Sequence, residues 1–370
     1  MRATHRAMFL LSALSIACGS ADSSARMSIE ARSALDRGGD AGRENNGRSV
    51  GVLTRNLYLG ADLTPVIQSQ NLPQFLAATT AVWNMVNKNN FHARAQALAD
   101  EIAARRPALV GLQEAFTWRV QVPADGQATP ATQVAYDYVP ELLAALAARH
   151  LQYRAVAQVN LLDCEAPTLL GNDARLTDHG VILARNDVKV ARPTGVVFAN
   201  LLPVSVLGQV LPVKRGYVAV DAKVKGVWLR FVSTHLESFH PGIRTLQAAE
   251  LAAALAADTR PVILVGDLNS HPGTEGEAVL AAAGFRDVWA ALHPSSPGLS
   301  CCWPEDLTLT APPFSERIDY VLTRGPLGAL SAEVFGFDPA ARVSGLWPSD
   351  HGGVSAEFRL AGEEDEKDDD

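Results

Sequence analysis

Apolar positions change period repeatedly along this 370-residue chain, and each period predicts an element. The run VGVLTRN (50–56) reads as an apolar strand ending in Arg55 and Asn56. In NFHARAQALADEIAARRP (90–107), Ala95, Leu98 and Ile102 fall on one helical face, and Pro107 stops the helix. ALVGLQE (108–114) follows as a buried strand ending at Glu114, and YDYVPELLAALAARH (136–150) as a helix with Pro140 near its first turn. GVILAR (180–185) is a strand, and residues 216–235 alternate on both sides of Lys225-Gly226, which predicts a β-hairpin. A helix over 244–258, a strand over 260–267, a short helix over 274–284 and strands at 317–322 and 351–360 complete the series. Hairpins mixed with helix–strand alternation predict an α/β fold in which helices cover sheets. No composition break divides 50–360, so one domain is expected there.

Composition changes the picture mainly at the two ends. At 48% hydrophobic, the chain can bury a sizeable core. Of the net charge of −8, the tail EEDEKDDD carries about −6, a block expected to be a solvated, disordered tail over 362–370. The near-neutral remainder lacks the basic footprint of a dedicated nucleic-acid binder. MRATHR supplies cations ahead of the apolar AMFLLSALSIA, so residues 1–18 read as an export signal, too short to span a bilayer. SIAC resembles a lipobox, with Leu14 one place early, and makes Cys18 a candidate lipidation site and membrane tether. The expected destination is the cell surface or periplasm, or secretion. Residues 19–49 read as a flexible polar linker. Export permits a disulfide. Of Cys164, Cys301 and Cys302, the first is expected to pair with one of the other two (Cys302), because a bridge between neighbours is strained.

The reactive residue types gather at strand ends. Asn56 ends the first strand, Glu114 the second, His235 the hairpin, and Asp267 with Asn269 the run VILVGDLN, while Asp319 opens IDYVL and Asp350-His351 lead into GGVSAEF. Strand ends are where α/β sheets bind ligands. Each residue alone is more often a turn or cap, but the set as a whole points to chemistry. Carboxylates and amide oxygens are hard ligands, suited to Mg²⁺, with Mn²⁺ or Ca²⁺ as alternatives. Two histidines remain to activate water or protonate a leaving oxygen. Together these parts fit metal-assisted phosphoester hydrolysis. No G-x-S-x-G elbow, H-E-x-x-H helix or P-loop is found.

TRNLYLG, LVGLQE, STHLE, VGDLNS, RIDYVL and SDHGGV, in that order from about residue 52 to 359, resemble the endonuclease/exonuclease/phosphatase (DNase I-like) superfamily. The resemblance implies a four-layer α/β/β/α sandwich over 50–361, two mixed sheets face to face with helices outside. It implies metal binding by Glu114 and Asp350 with support from Asn56, and a phosphate-facing His235. Asp267 and Asn269 would orient the attacking water and bind phosphate, His351 would be the catalytic histidine, and Asp319 would fix its tautomer. The general base is left between Asp267 and His351.

The substrate is less legible. His179, ahead of a strand expected to run toward the site, Arg185, and Trp303 in SCCWPEDL are candidate substrate contacts. His271 reads as a loop surface residue. Arg119, Arg154, Arg175, Lys214, Arg215 and Arg244 are further candidates to grip flanking phosphates of a nucleic acid. The almost charge-free run 196–213 is either buried sheet or an exposed hairpin for contact with a phospholipid head-group surface. A phosphodiesterase directed at nucleic acid or at phospholipid or sphingomyelin is favoured. An inositol-phosphate-type phosphomonoesterase and a catalytically silent binding module are the alternatives. A monomer is expected.

Overall fold

Residues 49–311 and 313–360 are described by the computed structural model. The expected signal peptide with Cys18, the linker up to residue 48 and the acidic tail lie outside them. One sheet has eight strands. In spatial order they are β15 (Leu327–Phe335), β16 (Gly353–Leu360), β1 (Ser49–Asn56), β2 (Leu109–Gln113), β6 (Asp173–Arg185), β3 (Thr117–Gln121) and β4 (Gln133–Asp137), with β5 (Tyr153–Pro167) also paired to β6. The other has six: β13 (Arg286–Asp287), β14 (Asp319–Arg324), β12 (Val262–Asp267), β11 (Val227–His235), β10 (Gly216–Val224) and β7 (Lys189–Val197). A separate hairpin consists of β8 (Leu202–Val206) and β9 (Gln209–Val213). The helices are α1 (Thr64–Ile67), α2 (Leu72–Lys88), α3 (Phe91–Arg105), α4 (Tyr138–Ala148), α5 (Pro241–Leu255), α6 (Glu275–Ala282) and α7 (Val288–Leu292).

The period of two in the central strands sets the layers. Val52 and Leu109 face the second sheet, where Val220, Phe231 and Ile263 meet them. Their neighbours Leu53 and Val110 turn the other way, onto Val82 of α2, Leu98 of α3 and Leu142 of α4. In the second sheet Val232 and Leu264 point outward onto Leu251 of α5 and Leu280 of α6. These strands are buried on both faces, which is why they read as apolar runs. The result is the four-layer arrangement of two mixed sheets with helices outside.

The two sheets approach each other closely two residues before the strand ends that carry the reactive residues. A Cβ on Gly111 would stand 2.5 Å from Val265 Cγ2 and 2.7 Å from Ser233 Oγ. Two residues on, Gln113 Nε2 donates to Ser233 Oγ at 2.9 Å. Gly266, immediately before Asp267, has φ +145°, and a Cβ there would lie 2.0 Å from the Thr234 carbonyl oxygen. Gly266→Ala is therefore expected to cost about 2 kcal/mol or more. Urea unfolding would measure it, and an unchanged midpoint would contradict this close approach.

Several expectations are corrected. The helix expected from residue 136 begins at Tyr138, because Gln133–Asp137 pair as an edge strand with β3. The apolar run 196–213 is not buried sheet: it closes β7 and then forms the half-exposed β8–β9 hairpin, with Val210 68% exposed at its tip. Cys301 is bonded to Cys302, and Cys164 is a free thiol. The expected Cys164–Cys302 bridge is absent because Cys164 packs on β5 toward the helical layer, whereas Cys301 lies against His351.

Candidate active site

Strand register assembles the site. β11 and β12 run parallel with His235 beside Asp267, and β12 and β14 antiparallel with Asp267 beside Asp319. In the first sheet β1 and β2 run parallel with Asn56 beside Gln113, and Glu114 follows in a left-handed conformation at φ +52°. Asn56 bridges the sheets: its Nδ2 donates to Glu114 Oε1 and to Asp267 Oδ2, both at 3.2 Å. Its Oδ1 accepts the Tyr58 N–H at 2.9 Å, and Glu114 Oε2 accepts the Leu59 N–H at 2.8 Å. The amide oxygen of Asn56 thus accepts from the backbone while its NH2 group holds the two carboxylates together.

His351 Nδ1 stands 2.9 Å from Asp319 Oδ2, which also accepts the Ser300 hydroxyl at 2.7 Å. Its Nε2 is 3.8 Å from Asp267 Oδ2, and His235 Nε2 is 3.4 Å from the same oxygen. Asn269, at φ +47°, gives its backbone N–H to Asp267 Oδ1 at 2.9 Å and its Nδ2 to the Leu236 carbonyl at 3.0 Å. The loop bearing Asp350 and His351 is anchored from below. The Ser349 hydroxyl donates to the Asn56 carbonyl at 2.7 Å, and Arg55, paired with Glu101, donates to the His351 carbonyl. Arg94 is fully buried and donates to the carbonyls of Leu57, Tyr58 and Pro348, tying the same two loops together.

The two histidines are driven in opposite directions. Burial disfavours charge on both. At His351 the carboxylates of Asp319, Asp350 and Asp267 outweigh burial and raise its pKa well above the ordinary value. At His235 burial is reinforced by Arg215 and His351, and its pKa falls well below the ordinary value. Arg215 Nη1 donates to His235 Nδ1 at 3.0 Å, which leaves the proton of the neutral ring on Nε2, facing Asp267.

A cleft beside this network is lined by Tyr58, Glu114, Asp178, Arg215, Trp303 and Asp350, among others. Burial, and then the repulsion of neighbouring carboxylates, raises the pKa of Asp267 and Asp350, while His351 opposes it. Burial also pushes Asp178 up to about 7, against the pull of Arg215. So many carboxylates with so few cations make a donor set of hard oxygens that fits a divalent metal ion. Glu114 and Asp350, both on the cleft wall, are the residues that would hold it. Asp267, Asp319 and His351 also lie close enough together to ligate an ion, but the His351–Asp319 hydrogen bond already accounts for their spacing.

These raised carboxyls have a consequence for stability. The folded state holds more protons than the unfolded chain between about pH 4 and 7, so without metal this cluster removes stability as pH rises through that window. A bound cation relieves the repulsion only where the carboxylates are charged. Mg²⁺ is expected to raise Tm more at pH 8 than at pH 5.5, as a thermal melt would show. Equal shifts would contradict the clustering.

The model of the Endonuclease/Exonuclease/phosphatase family matches residues 82–351. The chain belongs to this family. Its members are in general metal-dependent phosphoester hydrolases. No curated protein matches the sequence. Among solved structures, the chain is similar to an endonuclease/exonuclease/phosphatase family protein from Bacteroides thetaiotaomicron, with TM-score 0.55, 16% identity, and coverage of 85% of this chain and 98% of that one. It is similar to a second, from Beutenbergia cavernae, with TM-score 0.54, 20% identity, and coverage of 85% and 72%. A third is D. rerio TDP2 complexed with a single-strand DNA product, with TM-score 0.51, 19% identity, and coverage of 84% and 99%. At these identities the likeness establishes the shared fold.

The candidate substrate contacts fare less well. β6 runs antiparallel to β2, so it passes the site at Asp178 and leads away from it, which puts Arg185 at the far end of the sheet, paired with Asp187. His179 is buried with Nε2 on Thr117 and Nδ1 near Gln158 and Asn160, a satisfied core histidine. Its neighbour Asp178 lines the cleft instead, because adjacent strand residues face opposite ways. Trp303 does line the cleft, stacked on Trp347 at 4.1 Å, and its backbone N–H donates to the Asp350 carbonyl. Of the expected phosphate-gripping cations only Lys214 and Arg215 line it. Arg119, Arg154, Arg175 and Arg244 are hydrogen-bonded to other parts of the chain. His271 is an exposed loop residue, as expected.

Proposed function

We propose that this protein is a divalent-metal-dependent phosphodiesterase. The observation that carries the reading is the His351–Asp319 pair set against Asp267 and His235 beside a carboxylate-rich cleft. A divalent cation held by Glu114 and Asp350, with Mg²⁺ the first choice, would neutralise charge on the phosphoryl oxygens. Asp267 accepts a proton from the attacking water, whose oxygen forms the new bond to phosphorus. His351, kept cationic by Asp319, stabilises the phosphoryl charge and supplies the proton to the leaving oxygen as its bond to phosphorus breaks. His235 presents Nε2–H, fixed by Arg215 on its Nδ1, and Asn269 steadies Asp267, while Lys214 holds a non-bridging oxygen.

A diester is favoured over a monoester because Lys214 and Arg215 are the only Lys or Arg among the described residues to line the cleft, and because the fold is shared with TDP2, which has been captured with a single-strand DNA product. Export through residues 1–18, with lipidation of Cys18 as a tether, is part of the same proposal. The test compares bis-p-nitrophenyl phosphate with p-nitrophenyl phosphate in Mg²⁺, Mn²⁺, Ca²⁺ and EDTA. Metal-dependent hydrolysis at least tenfold faster on the diester is expected, and preference for the monoester would move the protein to the phosphomonoesterases.

A further inference from the structure

We infer that the apolar cavity beside the catalytic cleft receives a hydrocarbon chain, so that the diester cleaved is that of a lipid; this rests on the phosphodiesterase reading above. The cavity holds about 100 Å³ and is enclosed by Val66 of α1, Trp83 of α2 and Trp118 of β3 on one side. Val204 and Leu211 of the β8–β9 hairpin form the other. At its edge Thr79 donates to the Pro167 carbonyl and Glu165 Oε2 accepts the Ala131 N–H, while Glu165 Oε1 has no partner among the described residues.

Two observations choose the occupant. The first is continuity: Leu63, Ile67, Leu162 and Val213 line both the cavity and the cleft. The apolar wall ends at Val213, and the next two residues, Lys214 and Arg215, line the cleft. One path therefore leads from two cations beside the carboxylates into an apolar space, which is the charge pattern of a single-chain amphiphilic phosphodiester. A nucleic acid would need cations continuing past the cleft, and the other candidates are engaged elsewhere. The second is the hairpin itself. It pairs with neither main sheet, residues 193–213 contain no charged side chain, and Leu207 and Val210 stand exposed at its tip. Apolar surface left open in this way marks a place where an apolar partner enters.

The test uses alkyl p-nitrophenyl phosphates with methyl, butyl and octyl chains, below their aggregation limits and with Mg²⁺ present. A buried chain should raise kcat/KM by roughly two- to fourfold for each methylene. Val204→Glu should bring the octyl-to-methyl ratio close to one, and Leu211→Ser should lower it if the first variant fails to fold. Binding of dodecyl phosphate to His351→Ala, followed by calorimetry and weakened by Val204→Glu, reads the cavity without turnover. A flat chain-length series in an enzyme that cleaves the methyl ester overturns the inference and leaves the phosphodiesterase reading standing. So does competition by a single-stranded oligonucleotide but not by dodecyl phosphate. No cleavage of the methyl ester, with dodecyl phosphate still bound, overturns the reading and leaves the cavity's ligand in place.

Discussion

His351→Ala is expected to lower kcat by about 10³-fold, close to 4 kcal/mol of transition-state stabilisation, with little change in metal affinity. The backbone of this residue is held independently of its ring, by Arg55 on its carbonyl and by Ser349 on the neighbouring Asn56 carbonyl. Removing the imidazole therefore removes the cation that faces Asp267 and leaves Asp350 in place. Asp319→Asn should give a smaller loss, on the order of 10²-fold, because the ring stays but its Nδ1 proton loses the carboxylate 2.9 Å away. It should also lower the pKa of the alkaline limb, where His351 gives up its proton. A His351→Ala enzyme with kcat within threefold of wild type would remove this residue from the reaction.

Glu114→Gln is expected to weaken Mg²⁺ binding at least tenfold and to reduce turnover at fixed Mg²⁺, with partial recovery at high metal concentration. The substitution keeps shape while removing one charge from the wall that also carries Asp178 and Asp350. Glu114 raises the pKa of both neighbours, so its loss lets each ionise more easily. The metal-free variant should accordingly melt higher than metal-free wild type near pH 8, a gain in stability at the expense of function. Titration calorimetry and thermal melts read the two effects separately. Unchanged metal affinity would mean that the ion is held elsewhere.

The clustering of these acidic, amide and histidine residues was legible because they lie at strand termini and in short local motifs. Asp267-x-Asn269 and Asp350-His351 carry their own spacing, and the apolar runs before Asn56, Glu114 and His235 mark where strands stop. Strand direction and side-chain parity were not legible. His179 and Asp178 are adjacent, and only the pairing of β6 with β2 decides that the aspartate faces the cleft. The same antiparallel pairing carries Arg185 to the opposite edge. β5 alternates well enough to be read as a strand, but its register shifts between Ala155 and Ala157 and again between Asn160 and Asp163. Those shifts break the period on which a sequence reading depends. The support shell was hidden for another reason. Arg94 and Arg55 look like solvent-facing cations in sequence, yet both are buried because backbone carbonyls and Glu101 satisfy them.

The carboxylates and the two histidines are proposed to form one metal-dependent hydrolytic centre. The most direct test measures bis-p-nitrophenyl phosphate hydrolysis by wild type and His351→Ala with Mg²⁺ and with EDTA, while Mn²⁺ binding to both proteins is followed by electron paramagnetic resonance. Turnover that needs metal and disappears in the variant is expected, with Mn²⁺ held equally by both. A folded wild-type protein that binds Mn²⁺ but cleaves nothing, or turnover that survives EDTA, would contradict it.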